Sequence, residues 1–335
     1  MKKNNVIFLF SFLILIIIFF IALMVGRYNI KIDNFFLSLF TSNEIYQVDR
    51  NIILNLRLPR TIVACLTGIS LSLSGYLYQE IFRNKLTSPD LLGVSNGSGL
   101  GAAIAIVLTL PNVFISFFAF ILGLGTVALT LLLAKLFGNG SNTTLLISGV
   151  IIGGFMSSCL AFIKYLAPNE NLLSNITYWL MGSFSNVEYK DVYFLLPIVV
   201  SCTIIIIVIR WRINIISLGY EESKTKGINY SFYKYLVIMI ATLLTTSTVC
   251  ISGTISWVGL LIPNIVRTLL VNKANRNIPI IILFGAIFMI FADIISRSFT
   301  SQEIPLSAIT GIFGGFIFLI MLFVKKIKNK YVYWN

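Results

Sequence analysis

Apolar runs of about twenty residues recur along almost the whole chain, broken by short polar stretches. A run of that length crosses the hydrocarbon core of a bilayer as an α-helix. Ten such spans are predicted, at roughly 6–26, 58–79, 91–110, 112–137, 143–166, 192–210, 232–252, 257–271, 278–297 and 305–324. The third is rich in Gly and Ser, and the eighth is short and carries Pro263. The first run follows Lys2 and Lys3 and is longer than the apolar core of a cleaved signal peptide. It is therefore expected to remain as the first span. The predicted fold class is an all-α integral membrane protein, one domain over 1–335.

Composition agrees with that pattern. Of 335 residues, 57% are hydrophobic and only 11% charged, against about 25% charged in a soluble domain. The net charge of +13 does not point to nucleic acid, because the basic residues sit in short loops between apolar runs. Loops rich in Lys and Arg face the cytoplasm. Alternation from Lys2 and Lys3 places Arg83–Pro89, Gly138–Asn142, Arg210–Ser231, Asn272–Asn277 and the tail from Lys325 on that side. Both termini are basic, and an even number of spans puts both in the cytoplasm. Arg57, Arg60 and Arg297 break the rule by falling on the predicted outer side. They read either as snorkelling side chains at helix ends or as a docking surface for an acidic partner. Cys65, Cys159, Cys202 and Cys250 are scattered through apolar runs and read as small core residues.

Small residues recur four apart at Gly68 and Ser72, Gly97 and Gly101, Gly149 and Gly153, and Gly311 and Gly315. Such spacing lets helices approach closely in lipid. The outer loop Ala167–Asp191 contains an amphipathic stretch, Leu172–Phe184, expected to form a short interfacial helix. The loop Trp211–Ser231 holds Glu221, Glu222, Lys224 and Lys226, with Gly219 and Gly227 as helix limits. It reads as a short helix on the cytoplasmic face or as a solvated connector. A faint echo links GISLSLSG (Gly68–Gly75) with TSTVCISG (Thr246–Gly253), five spans apart. That offset inverts the topology, as in transporters built from inverted repeats.

Catalytic chemistry is hard to place here. The chain has no histidine and no P-loop. Ionisable residues in the spans are few: Lys135, Lys164, Glu80 and Asp293. Asp293 lies one turn from Arg297, the spacing of an i,i+4 ion pair. An ion-driven secondary transporter or channel would need an essential charge at the midplane. A membrane-bound enzyme would need a polar constellation, and none is apparent.

Several segments resemble the FecCD family of ABC-importer permeases. Asn55–Arg60 (NLRLPR) is similar to the family's R-L-P-R before its second span. Gly75–Gly93 (GYLYQEIFRNKLTSPDLLG) resembles G-x-x-x-Q-x-x-x-x-N-P-L-A-x-P-x-x-L-G, with Lys85 and Thr87 replacing Pro and Ala. Leu218–Gly227 (LGYEESKTKG) resembles L-G-x-x-x-A-x-x-L-G, with Ser223 and Lys226 departing from it. Gly253–Arg267 (GTISWVGLLIPNIVR) resembles G-x-I-x-F-V-G-L-x-x-P-H-x-x-R, with Asn264 in place of His. Ala292–Arg297 followed by Glu303–Pro305 resembles A-D-x-x-x-R and E-x-P.

The resemblance implies a type II importer permease of ten helices, paired as a homodimer or heterodimer in the cell membrane. It implies a cytoplasmic ATPase dimer that hydrolyses the ATP, an extracytoplasmic substrate-binding protein, and no resident cofactor. Leu218, Gly219, Glu221, Glu222, Ser223 and Gly227 would then form the loop that seats in the ATPase. Arg57, Arg60 and Arg297 would dock the binding protein. Gly149, Gly153, Ser157, Gly311 and Gly314 would line the pathway or serve helix packing. The expected cargo is an iron–siderophore, with haem or cobalamin as alternatives.

Overall fold

The structure is a computed structural model and describes residues 2–332 apart from 29, 41–43, 139, 271–273 and 301. Helices make up nearly all of the described residues, with no strand among them. The chain opens with α1 (Lys2–Met24) and the short α2 (Ile32–Phe40). The sequence pattern did not predict α2. After α3 (Gln47–Asn51), a π-helical segment, Ile52–Arg57, runs directly into α4 (Leu58–Phe82). Pro59 at the start suits this helix, since its missing N–H falls in the first turn. Arg83, in the left-handed region at φ 54°, ends it.

The rest of the order is α5 (Val94–Val107), α6 (Asn112–Gly138), α7 (Asn142–Tyr165), α8 (Glu170–Met181), α9 (Tyr189–Ile216) and α10 (Tyr220–Thr225). Then come α11 (Tyr230–Ser252), α12 (Val258–Leu269), α13 (Ala274–Ser298) and α14 (Leu306–Val332). Among the described residues, seven helices are long and apolar enough to cross a membrane. Three shorter apolar helices, Val94–Val107, Val258–Leu269 and Leu306–Met321, occupy the positions of the other three predicted spans. The expected interfacial helix is α8, capped by Asn169, whose side chain accepts from the Leu172 N–H. Lys273 and the side chains of Lys2, Lys3, Arg276 and residues 324–332, part of the orientation argument, lie outside what is described.

The centre of the bundle is α4, which is buried on nearly all sides and packs against α9, α11, α12 and α13. Its small residues make that possible. A Cβ on Gly68 would overlap the backbone of Gly285 on α13, and one on Gly75 would overlap Gly259 on α12. Ser74 donates to the Ala241 carbonyl at 2.8 Å, and Tyr78 pairs with Thr242 at 3.0 Å, fixing α4 to α11. These two hydroxyl contacts join the helices directly.

The faint repeat falls on α4 and α11, which run in opposite directions. Each is followed by a short apolar helix that begins inside the bundle. Pro89, just before α5, packs on Gly259 at the start of α12, and Gly259 in turn faces the Leu71 carbonyl near the middle of α4. Thus α5 and α12 are short helices whose N-terminal ends meet beside the middle of α4.

Candidate functional site

At one end of α4 the three exceptional arginines meet, and all three are buried. Arg57 is 5% exposed, Arg60 9% and Arg297 5%. Arg57 donates to the carbonyls of Leu23 (3.0 Å), Met24 (2.6 Å) and Tyr28. Arg297 donates to the Ala22 carbonyl at 2.5 Å. Those carbonyls belong to the end of α1 and the turn after it, where a helix leaves acceptors unpaired. Arg60 bonds Asp293 at 2.8 Å and grips Glu303 with both terminal nitrogens, at 2.7 and 3.1 Å. The predicted Asp293–Arg297 pair forms at 3.4 Å, but Arg60 is the closer partner. The Glu303 carboxyl is pushed up by burial, yet the hydrogen bond and charge of Arg60, helped by Arg27 and Ser183, hold it below the usual range.

The guanidinium groups of Arg57, Arg60 and Arg297 face into the protein and hold α1, α4, α13 and the start of α14 together. The motif residues and the Asp293–Arg297 pair were noticed in the sequence, but the partners up to 275 positions apart were not. The node also reaches α8. Ser183, just after it, donates to Glu303 at 3.4 Å, Ser307 donates to the Met181 carbonyl at 2.6 Å, and Thr254 donates to that of Leu180.

In the middle, the two long motifs interlock. Gln79 donates to the Gly259 carbonyl at 3.2 Å. Arg267 donates to Glu80 at 2.8 Å and to Gln79, and lies over the Tyr76 ring. Asn264, which replaces a family histidine, donates to the Lys85 carbonyl at 2.8 Å. Asp90 accepts from Ser95 and lines a polar cleft with Ser88, Thr245 and Trp257, where α5 and α12 meet.

At the other end of α4 lies α10, the short helix expected from Leu218–Gly227. Gly219 precedes it at φ 126° and Gly227 follows it at φ 68°, conformations open to glycine and strained for other residues. Ser223 is buried, and its hydroxyl donates to the Gly219 carbonyl at 2.6 Å. A small residue is required there, which explains why Ser can replace Ala. Leu218, Glu221 and Glu222 stay exposed.

The pathway candidates divide. Gly149 and Gly153 are buried against the turn from Leu91 to Gly93, and Gly314 lies under Trp257. These three serve close packing. Ser157 is exposed, and Gly311 is half-buried beside Trp257. Between α5 and α7 runs an apolar cavity of about 490 Å³ lined by Leu100, Ile104, Phe155, Ser158, Cys159 and Phe162.

The profile of the FecCD transport family matches residues 14–325. The chain belongs to the FecCD transport family. This FecCD chain is 34% identical over 319 residues to the molybdate import system permease protein MolB of Haemophilus influenzae, covering 94% of each. It is 36% identical over 273 residues to a probable iron chelatin transport system permease protein of Helicobacter pylori, covering 81% of this chain and 82% of that one. A solved structure described as an inward-facing conformation of a putative metal-chelate type ABC transporter superposes with a TM-score of 0.86. That structure shares 32% identity, covering 95% of the FecCD chain and 99% of its own. The FecCD chain is thus a multi-pass permease of the ABC-importer type.

Proposed function

We propose that this chain is the membrane-spanning subunit, one domain over 1–335, of an ABC importer that carries an iron–siderophore complex by alternating access. One observation carries the importer mechanism: α10, a polar helix braced between two glycines, stands at the far end of α4 from the arginine node. A short rigid helix at a membrane face can pass on the closure of an ATPase dimer as a displacement. In this reading α10 and both termini are cytoplasmic, and the arginine node faces outward beneath a substrate-binding protein. A second permease subunit covers the accessible apolar faces of α7 and α14.

The substrate class rests on the character of those faces. The exposed positions of α7 and α14 include Val150, Ile151, Phe155, Ile312 and Phe316, with Ser157 and Ser158 between. None of these named positions is a fixed cation, which a bare oxyanion would need. A bulky chelate that screens its own metal suits such a wall better. The likeness to the molybdate permease favours a second reading, import of a small oxyanion. The two separate by experiment. Vesicles holding the permease, its ATPase and the binding protein should accumulate radiolabelled ferric hydroxamate and not molybdate. Accumulation of molybdate alone would overturn the chelate assignment while leaving the importer intact.

A further inference from the structure

The face that carries α10 also holds a cluster in which Asn142, Tyr230 and Lys234 lie outside the family-like motifs. Tyr220 opens α10, and its ring meets that of Tyr230 edge-on, with centroids 5.9 Å apart. Tyr230 opens α11, and its hydroxyl donates to the Asn142 side chain at 3.5 Å. Asn142 opens α7 and donates to the Ile81 carbonyl, near the end of α4, at 2.8 Å. One turn further along α11, Lys234 lies over the Tyr230 ring at 5.7 Å and donates to the Gly140 carbonyl at 2.6 Å. Lys234 is 3% exposed and forms no ion pair among the described residues.

A buried ammonium without a carboxylate is unusual, because desolvation disfavours it. Here it is held by one neutral carbonyl and one ring, both tied to the turn between α6 and α7. Gly140 is at φ 68°, and a side chain there would strike the Tyr235 hydroxyl. From the other side, the Arg83 guanidinium and the Glu222 carboxylate crowd Gly219 at the start of α10. The coupling helix, the end of α4 and the first residues of α7 therefore converge on Tyr230.

We propose that Tyr220, Tyr230, Lys234 and Asn142 are positioning residues that carry a displacement of α10 to the α6–α7 turn and so to α7. The proposal rests on α10 being the ATPase contact. Its physical basis is a contiguous chain of aromatic packing and buried hydrogen bonds, the kind of network through which displacement passes between packed elements. Lys234 and Asn142 hold the turn, and Tyr220 is the contact through which α10 acts on it.

The test uses the whole transporter with its ATPase. Thr143, exposed in the first turn of α7, is replaced by cysteine, and labelling with a membrane-impermeant maleimide is followed above the parent chain. ATP with vanadate should change the labelling rate about fivefold or more, the lower end of ordinary coupling. Lys234→Met should abolish that response while the ATPase still co-purifies and hydrolyses ATP, and Tyr220→Ala should abolish it in the fraction of transporter that retains bound ATPase. Tyr220→Phe, which keeps the ring, should retain it. Tyr220 is exposed, so its replacement tests the linkage even where Lys234→Met fails to fold. An unchanged response in Tyr220→Ala overturns the proposal. So does a response at a Thr225→Cys label on α10 with none at Thr143. If no ATPase binds the unaltered chain, the importer reading falls as well, a result distinct from either of these.

Discussion

Replacing Arg60 by methionine removes the group that joins α4 to α13 and to the residues before α14. Methionine keeps most of the stem volume, so the lost quantity is chiefly charge and hydrogen bonding. Asp293, 0% exposed, would be left with Arg297 at 3.4 Å as its remaining partner. Removing one member of a buried ion pair costs about 3–5 kcal/mol. Glu303 lies nearer the surface and can regain water, so most of the loss belongs to Asp293. We therefore expect about 3 kcal/mol, a large share of the roughly 5–15 kcal/mol that a folded protein has. Adding Asp293→Asn removes the stranded charge and should restore a good part of it, an interaction energy of about 0.5–3 kcal/mol. The assay is unfolding of the purified chain in mixed micelles, with exposed Arg50→Met as control. If Arg60→Met and the control agree within about 0.5 kcal/mol, the node does not hold the fold. The arginine would then be free for a partner, as first expected.

Three further outcomes follow from the same geometry. The Glu303 carboxyl titrates below its ordinary value in the folded chain, so its stabilising contribution is complete above the usual carboxylate range. It is lost as pH falls through the folded value, and melting curves of wild type and Glu303→Gln should converge in acid and separate at neutral pH. Gly75→Ala places a methyl group into the Gly259 backbone, which cannot move aside as a side chain would. A loss of about 1–3 kcal/mol or more is expected, visible as reduced yield of folded protein in detergent. Gly219→Ala forces a side chain to φ 126° at a cost of about 1–3 kcal/mol. It should weaken ATPase co-purification while leaving the melting of the bundle nearly unchanged.

Much of the architecture was legible because hydropathy acts on long stretches. Each predicted span has its helix, and Gly219 and Gly227 mark the limits of α10 as their residue type demanded. Helix length was less legible. The segment 91–110 was read as one span, and its helix, α5, covers only Val94–Val107, preceded by the contact of Pro89 with Gly259, far away in sequence. The partners of the arginines were hidden for a similar reason. The loop-charge rule assigns Arg57, Arg60 and Arg297 to a side of the membrane, but it does not state whether they face water. Their acceptors are carbonyls of α1 and carboxylates of α13 and the α14 approach, partners that only the folded chain supplies. Lys234 carried a readable signal, a lysine within the predicted span 232–252, but its acceptor is a backbone atom and has no sequence signature.

The glycine-to-glycine contacts along α4 have a mechanical meaning. Where backbone lies on backbone, as at Gly68 with Gly285 and Gly75 with Gly259, no side chain remains to change rotamer and yield. A centre packed that tightly behaves as a stiff block. It can pivot, but it cannot be squeezed. In the proposed importer, α4, α12 and α13 would act as the fulcrum of the subunit, and the opening and closing strokes would fall to the helices around it, α7, α8 and α14.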